Sequence, residues 1–127
     1  MGNTWKGISD EDLLEADVNL LARAGLKPQE YSIHNTQVVE GEQEQYMHCV
    51  EVPNSQLPKM VLVHGYGAGG GVFFRVIKDL SQFFHLYVVD LLGMGASGRP
   101  EFNGESTDMS EDFFVDSLKK WKENIGI

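Results

Sequence analysis

The chain is short of cysteine, of basic residues and of long apolar runs, and each shortage removes a class of function. A single cysteine, Cys49, in 127 residues forms no internal disulfide and no Cys-rich metal site, and a reducing, cytoplasmic setting is expected. Lys and Arg number 10 against 19 Asp and Glu, a formal net charge of −9. Nucleic acid and a polybasic membrane patch both require a basic surface, so no nucleic-acid partner is expected. The imbalance lies at the front. Residues 1–51 hold ten acids against Lys6, Arg23 and Lys27, while the remainder has nine acids and seven bases. No apolar run approaches the roughly 20 residues of a membrane-crossing helix. The start, Met1 to Lys6, has no hydrophobic signal core, and Lys6 stands where a myristoylation site has Ser or Thr. His34, His48, His64 and His85 lack metal-ligand spacing, and neither a metal nor another cofactor is expected.

What is present suffices for one compact domain, with 42% hydrophobic residues. Ser9 with Asp12 forms a capping box that opens a helix over residues 9–25, closed by Gly25 and Pro28. Leu13, Leu20 and Ala24 with Leu14, Val18 and Leu21 make one apolar stripe. This predicts a helix packed on the domain that follows; the sharper alternative is a lipid-contacting helix with Trp5 at an interface. Residues 1–30 are thus read as an N-terminal amphipathic segment and residues 31–127 as a partial α/β domain. Residues 31–52 predict two strands around a turn at Glu40-Gly41-Glu42. Met60 to His64 is a continuous apolar run, as for a strand buried on both faces. Phe73, Ile77, Leu80 and Phe84, joined by Val76, follow helical spacing, and Leu86 to Leu91 is a second buried strand. Strand, helix and strand in so short a span predict a right-handed βαβ unit. Asp108 with Glu111 marks another helix start, and Phe114, Leu118, Trp121 and Ile125 carry that helix to a C-cap at Gly126.

The stretch that carries chemistry is Val61-Leu62-Val63-His64-Gly65-Tyr66-Gly67-Ala68-Gly69-Gly70-Gly71. Glycines between a strand and a helix let backbone N–H groups face one point and leave room for a ligand. One use is an oxyanion hole, where such donors stabilise the negative oxygen formed when a nucleophile attacks an acyl carbonyl. Another is a dinucleotide site: Gly65-x-Gly67-x-x-Gly70 fits the phosphate fingerprint, with Asp90 placed for a ribose. The third is structural, glycines that merely allow tight helix–strand packing.

Asp90-Leu91-Leu92-Gly93-Met94-Gly95-Ala96-Ser97 resembles the D-x-x-G-x-G-x-S loop that ends strand four of α/β-hydrolases, and His64-Gly65 resembles the His-Gly that ends their strand three. "LLGMGASGRP" and "EDFFVDSLKKWKENIGI" further resemble the lipid-handling branch that includes N-acyl-phosphatidylethanolamine lipases, cardiolipin deacylases and the coactivator of adipose triglyceride lipase. The resemblance implies an α/β fold with strand order 1-2-4-3, a fifth strand beyond Ile127, and acyl-ester or acyl-amide lipids as substrates for hydrolysis or acyl transfer. It implies contact with membranes or lipid droplets, and for members without a serine nucleophile, binding to a protein partner. Carried onto this chain, it makes the Tyr66 backbone N–H an oxyanion donor on a turn shaped by Gly65 and Gly67, and Asp90 a loop anchor with no triad role. The elbow G-x-S-x-G would follow Ile127 and does not occur in the chain. Of eight serines Ser97 comes nearest, with its second glycine one place early. The chain is therefore expected to be the front portion of a serine hydrolase and inactive by itself, with an exposed apolar strand edge that promotes aggregation.

Three features are set aside. His64 is expected to be structural. His85-x-x-x-x-Asp90 spells an acyltransferase pattern, but an odd spacing on a strand points the pair to opposite faces. Cys49 is expected to be a buried small hydrophobe.

Overall fold

The structure, a computed structural model, describes residues 7–102 and 104–127. Trp5 lies outside them. Helix α1 spans Asp10–Arg23 and starts as the capping box requires. The Ser9 hydroxyl accepts the Asp12 N–H at 3.1 Å, and the Asp12 carboxylate accepts the Ser9 N–H at 2.9 Å. These bonds, the backbone one foremost, hold the Asp12 carboxyl below its ordinary range. Gly25, at φ 87°, lets the chain turn away after the helix. Of the predicted stripe, Leu21 is buried, Leu13, Leu20 and Ala24 are half-buried, and Leu14 and Val18 stay exposed.

Strands β1 (Ser32–Gln37) and β2 (Tyr46–Val52) form an antiparallel pair. Strands β3 (Lys59–Val63) and β4 (His85–Val89) run parallel, with Leu62 opposite Val88. The sheet order is β1-β2-β4-β3, the order that the resemblance implies. Side chains alternate between the faces, so the sheet carries apolar clusters on both. On one face Val50, Val52, Leu86 and Val88 meet Leu21 and Leu26 beneath α1, with Ile77 from the short helix α2 (Ile77–Leu80). On the other, Met47, Cys49, Tyr87 and Val89 meet Leu92 and Trp121, the latter from helix α3 (Thr107–Ile125).

Three sequence expectations are corrected. The continuous helix through residues 73–84 is instead a 3-10 turn, Gly70–Phe73, followed by the four-residue α2. Gly70, Gly71, the β-branched Val72, Val76 and Ile77, and four phenylalanines are weak helix formers, so the correct spacing lacks the propensity to sustain a long helix. Helix α3 is capped by Ser106, whose hydroxyl accepts the Met109 N–H at 3.2 Å, and not by Asp108. Strand β3 is not buried on both faces. It is an edge strand with Val63 at 40% exposure, whereas all five residues of the central β4 are buried.

Among the described residues the outer edge of β3 has no pairing strand. An unpaired apolar edge templates further pairing. The purified chain is expected to sediment as larger species at rising concentration; a sharp, reversible melt of a monomer would contradict this.

Cys49 is fully buried, and burial foremost, with the charges of Glu51 and Asp90, pushes its thiol from 9.0 up to about 12. At pH 8 about one molecule in 10,000 then carries the reactive thiolate. Iodoacetamide at pH 8 is expected to label Cys49 only after denaturation. Because the folded value is raised, the thiol's share of stability is complete below pH 9.0 and is lost as pH rises towards about 12.

Candidate active-site turn

The turn after β3 and the loop after β4 leave adjacent parallel strands at the same end of the sheet, the end where open α/β sheets bind ligands. His64 stitches the two together. Its Nε2 accepts the Leu91 N–H at 2.9 Å, which leaves the proton on Nδ1, and Nδ1 donates to the Gly65 carbonyl at 2.8 Å. With both nitrogens engaged and the side chain buried, His64 is structural, as expected.

The glycine run divides into two parts with different reasons for being glycine. A Cβ at Gly70 would meet Val88 Cγ1 at 2.7 Å, and one at Gly71 would meet Leu20 Cδ2 at 3.0 Å. Here glycine permits close approach of the sheet and α1. Gly65 and Gly67 differ: a Cβ at either would meet nothing within 4 Å. Gly67 has φ 69°, which favours glycine. Gly65 has neither a crowding neighbour nor a positive φ. Between them stands Tyr66, 97% exposed. Among the described residues the N–H groups of Tyr66 and Gly67 have no hydrogen-bond acceptor.

Asp90 fixes this geometry from below. Its buried carboxylate accepts the Gly70 N–H through Oδ1 at 2.5 Å and the Ala96 N–H through Oδ2 at 2.8 Å. Its carbonyl accepts the Ser97 hydroxyl at 2.6 Å, and the Ser97 Oγ in turn accepts the His48 N–H at 2.9 Å. Asp90 is thus the loop anchor that the resemblance implies. Ser97, 1% exposed, is spent on the same loop. The geometry also overturns the dinucleotide alternative. The carboxylate that would bind a ribose instead occupies the Gly70 N–H that a pyrophosphate needs, and a 3-10 turn stands where that motif requires a long helix.

Two histidine clusters escaped sequence reasoning because their members are far apart in the chain. His48 bridges Asp17 on α1, at 2.8 Å from Nε2, and Asn35 on β1, at 2.7 Å from Nδ1, and so ties α1 to the sheet. Glu51 lies between His85, 2.7 Å away, and His34, 3.3 Å away. His85 therefore faces Glu51 while Asp90 faces the glycine turn, so the acyltransferase-like pair is never assembled. Among the described residues no three His, Cys, Asp or Glu side chains form a metal-binding group. Sequence reasoning also passed over Arg99, the only Lys or Arg between Lys78 and Lys119; that isolation in a glycine-rich loop was the available signal.

Residues 58–127 match the alpha/beta hydrolase fold family. The chain belongs to that family. This α/β-hydrolase chain is 45% identical over 65 residues to a 1-acylglycerol-3-phosphate O-acyltransferase of Arabidopsis thaliana, covering 51% of this chain and 16% of that protein. It is 40% identical over 74 residues to the (lyso)-N-acylphosphatidylethanolamine lipase of Homo sapiens, covering 58% of this chain and 21% of that one. The chain therefore spans no more than 21% of the length of either relative. Naproxen esterase from Bacillus subtilis superposes with a TM-score of 0.69 over 100% of this chain and 40% of its own, at 18% identity, a likeness of fold. The relatives are lipid-handling α/β-hydrolases, the branch that the loop after β4 resembles. No helix among the described residues is long and apolar enough to cross a membrane.

Proposed function

We propose that the Gly65–Gly67 turn is the oxyanion-binding element of an enzyme that hydrolyses or transfers acyl groups of lipids. The observation that carries this is the unspent pair of N–H groups at Tyr66 and Gly67, beside a Gly65 that the chain's own packing does not require. A glycine with no internal reason is explained by an external one, the close approach of a substrate carbonyl. The names of the relatives, one acyltransferase and one lipase, support acyl lipids as the substrate class. In this reading the Tyr66 N–H donates to the carbonyl oxygen as it becomes an oxyanion. Asp90 keeps the turn in place through Gly70. The attacking serine belongs to a nucleophile elbow outside these 127 residues, since the nearest candidate, Ser97, is buried and hydrogen-bonded. That burial also favours a second reading, a non-catalytic relative that binds lipid or a partner lipase at a membrane or droplet surface.

The test is to recover the native protein with an antibody against residues 101–124 and treat it with a fluorophosphonate probe. A labelled band well above 14.2 kDa supports the enzyme reading. An unlabelled band at 14.2 kDa would sink it in favour of binding. In the labelled protein, Tyr66→Pro removes the donor and is expected to lower kcat about 10²–10³-fold, the usual loss for one oxyanion donor. Tyr66→Ala keeps the N–H and is expected to retain most of the rate. Equal losses in the two variants would reject the backbone role.

A further inference from the structure

Helix α1 reaches the glycine turn and its supporting loop at two points. Leu20 packs on the turn itself, where its Cδ2 would lie 3.0 Å from a Cβ at Gly71. Three residues earlier, the Asp17 carboxylate accepts the Nε2–H of His48 at 2.8 Å. These two side chains are 24% and 8% exposed, so little water competes for the bond.

His48 belongs to the base of the site. Its backbone closes a ring of three hydrogen bonds. The His48 N–H donates to Ser97 Oγ at 2.9 Å, the Ser97 hydroxyl to the Asp90 carbonyl at 2.6 Å, and the Asp90 N–H back to the His48 carbonyl at 2.9 Å. Arg99 stiffens the same loop by donating to the Gly95 carbonyl at 2.9 Å and the Ser97 carbonyl at 3.2 Å. From Asp90 the turn is one bond away, since its carboxylate accepts the Gly70 N–H.

Little else holds α1. Of its 14 residues only Leu21 is buried. The first turns stand over an open cavity of about 250 Å³ lined by Leu13, Leu14, Ile33 and Tyr46, so no close packing replaces the Asp17 bond there. A helix of this length is marginal in water by itself, and α1 depends on its few tertiary contacts.

We infer that α1 is a brace for the oxyanion turn, with Asp17 and His48 as positioning residues that act through Ser97 and Asp90. The inference rests on the oxyanion reading of Gly65–Gly67 and adds a means of controlling it. With α1 docked, the base of the turn is rigid and the Tyr66 and Gly67 N–H groups stay aimed. With α1 released, Asp90 and Gly70 gain freedom and the donors lose their aim. Donors fixed before reaction are what make such a site effective, so release of α1 lowers the rate without touching the nucleophile.

Hydrogen exchange followed by mass spectrometry on the dilute 127-residue chain tests the coupling. Asp17→Leu removes the acceptor. The Gly70 and Ala96 amides, both bound to Asp90, are then expected to exchange at least about tenfold faster relative to the amides of β4. Asp17→Asn keeps an uncharged, weaker acceptor and should fall between; it supplies the reading where the leucine variant fails to fold. Leu118→Ala loosens the opposite face of the sheet and is expected to speed all these amides together. A double-mutant cycle pairs Asp17→Asn with Ser97→Ala, two residues bonded to His48 and not to each other. The folding constant of the double variant is expected to differ at least about threefold from the product of the single effects. An Asp17 variant whose Gly70 and Ala96 amides keep pace with β4, or additive effects in the cycle, overturns the brace. In the enzyme that the fluorophosphonate labels, Asp17→Asn is expected to lower kcat with KM unchanged, and a rise in KM alone would overturn the positioning role. Exchange is read without acyl transfer, so failure of the brace appears in these rates, and failure of the oxyanion reading in the labelling and the Tyr66→Pro comparison.

Discussion

Replacing Asp90 by alanine is expected to cost about 3–6 kcal/mol of folding stability. The carboxylate accepts two backbone N–H groups, from Gly70 and Ala96. Each hydrogen bond to a charged acceptor contributes about 1.5–3 kcal/mol, and its loss strands a donor away from water. A small domain has only about 5–15 kcal/mol in all, so the variant sits near unfolding. Asp90→Asn retains one carbonyl acceptor but presents its amide NH2 to the other donor, and its loss should fall between the two. Urea denaturation of the three proteins gives the order, read from midpoints at constant slope. A loss below about 1 kcal/mol for the alanine variant would mean that water satisfies both N–H groups as well as the carboxylate does. The glycines around Asp90 are part of the same requirement. A side chain at Gly95, φ 54°, would collide with the carboxylate, and one at Gly98 with the Glu44 carbonyl.

Trp121→Ala is expected to be nearly as severe, at about 3–5 kcal/mol, the usual range for deleting a buried Trp. Trp121 is fully buried and is the largest side chain that α3 places against the sheet. Its ring meets Tyr87 edge to face, with centroids 6.1 Å apart. Its Nε1 has no acceptor among the described residues, so burial of the indole already carries an uncompensated polar group. Trp121→Phe removes that group along with some volume and is expected to cost much less than alanine. Thermal melts of both variants check this. Equal losses would mean that the indole N–H is satisfied by water and the whole ring counts as packing.

The elements legible in the sequence are those set by local rules. Ser9 and Asp12 cap α1 as their spacing requires, Gly126 ends α3 at φ 77°, β3 and β4 lie where the apolar runs are, and β1 and β2 flank the predicted turn within residues 31–52. The site's backbone was also legible, because His64-Gly65 and the Asp90 loop are contiguous motifs. What was hidden depends on competition or on distance. Periodicity at Phe73, Ile77, Leu80 and Phe84 hid the poor propensity of the residues between them. Asp17 lies outside the predicted apolar stripe of α1, but pairing β1 with β2 brings His48 beneath it, which no pattern within residues 9–25 encodes. The edge-to-face contact of Phe102 with Phe113 escaped for a similar reason. Phe113 was outside the predicted stripe of α3, and Phe102 lies in a loop, so only the folded loop brings them together.

The sheet order has a consequence for synthesis on the ribosome. Strand β3 precedes β4 in the chain, yet β4 is the strand through which it joins the sheet. Twenty-six residues separate Val63 from Val89, the last residue of each strand. At about 5–20 residues per second, their synthesis takes about 1–5 s. For that interval the β1–β2 hairpin can already form, while Met60 to Leu62 stand finished and unpaired. Sequence-distant strand pairing is slow to begin with. The nascent chain therefore passes through a defined window in which its most apolar strand waits for β4.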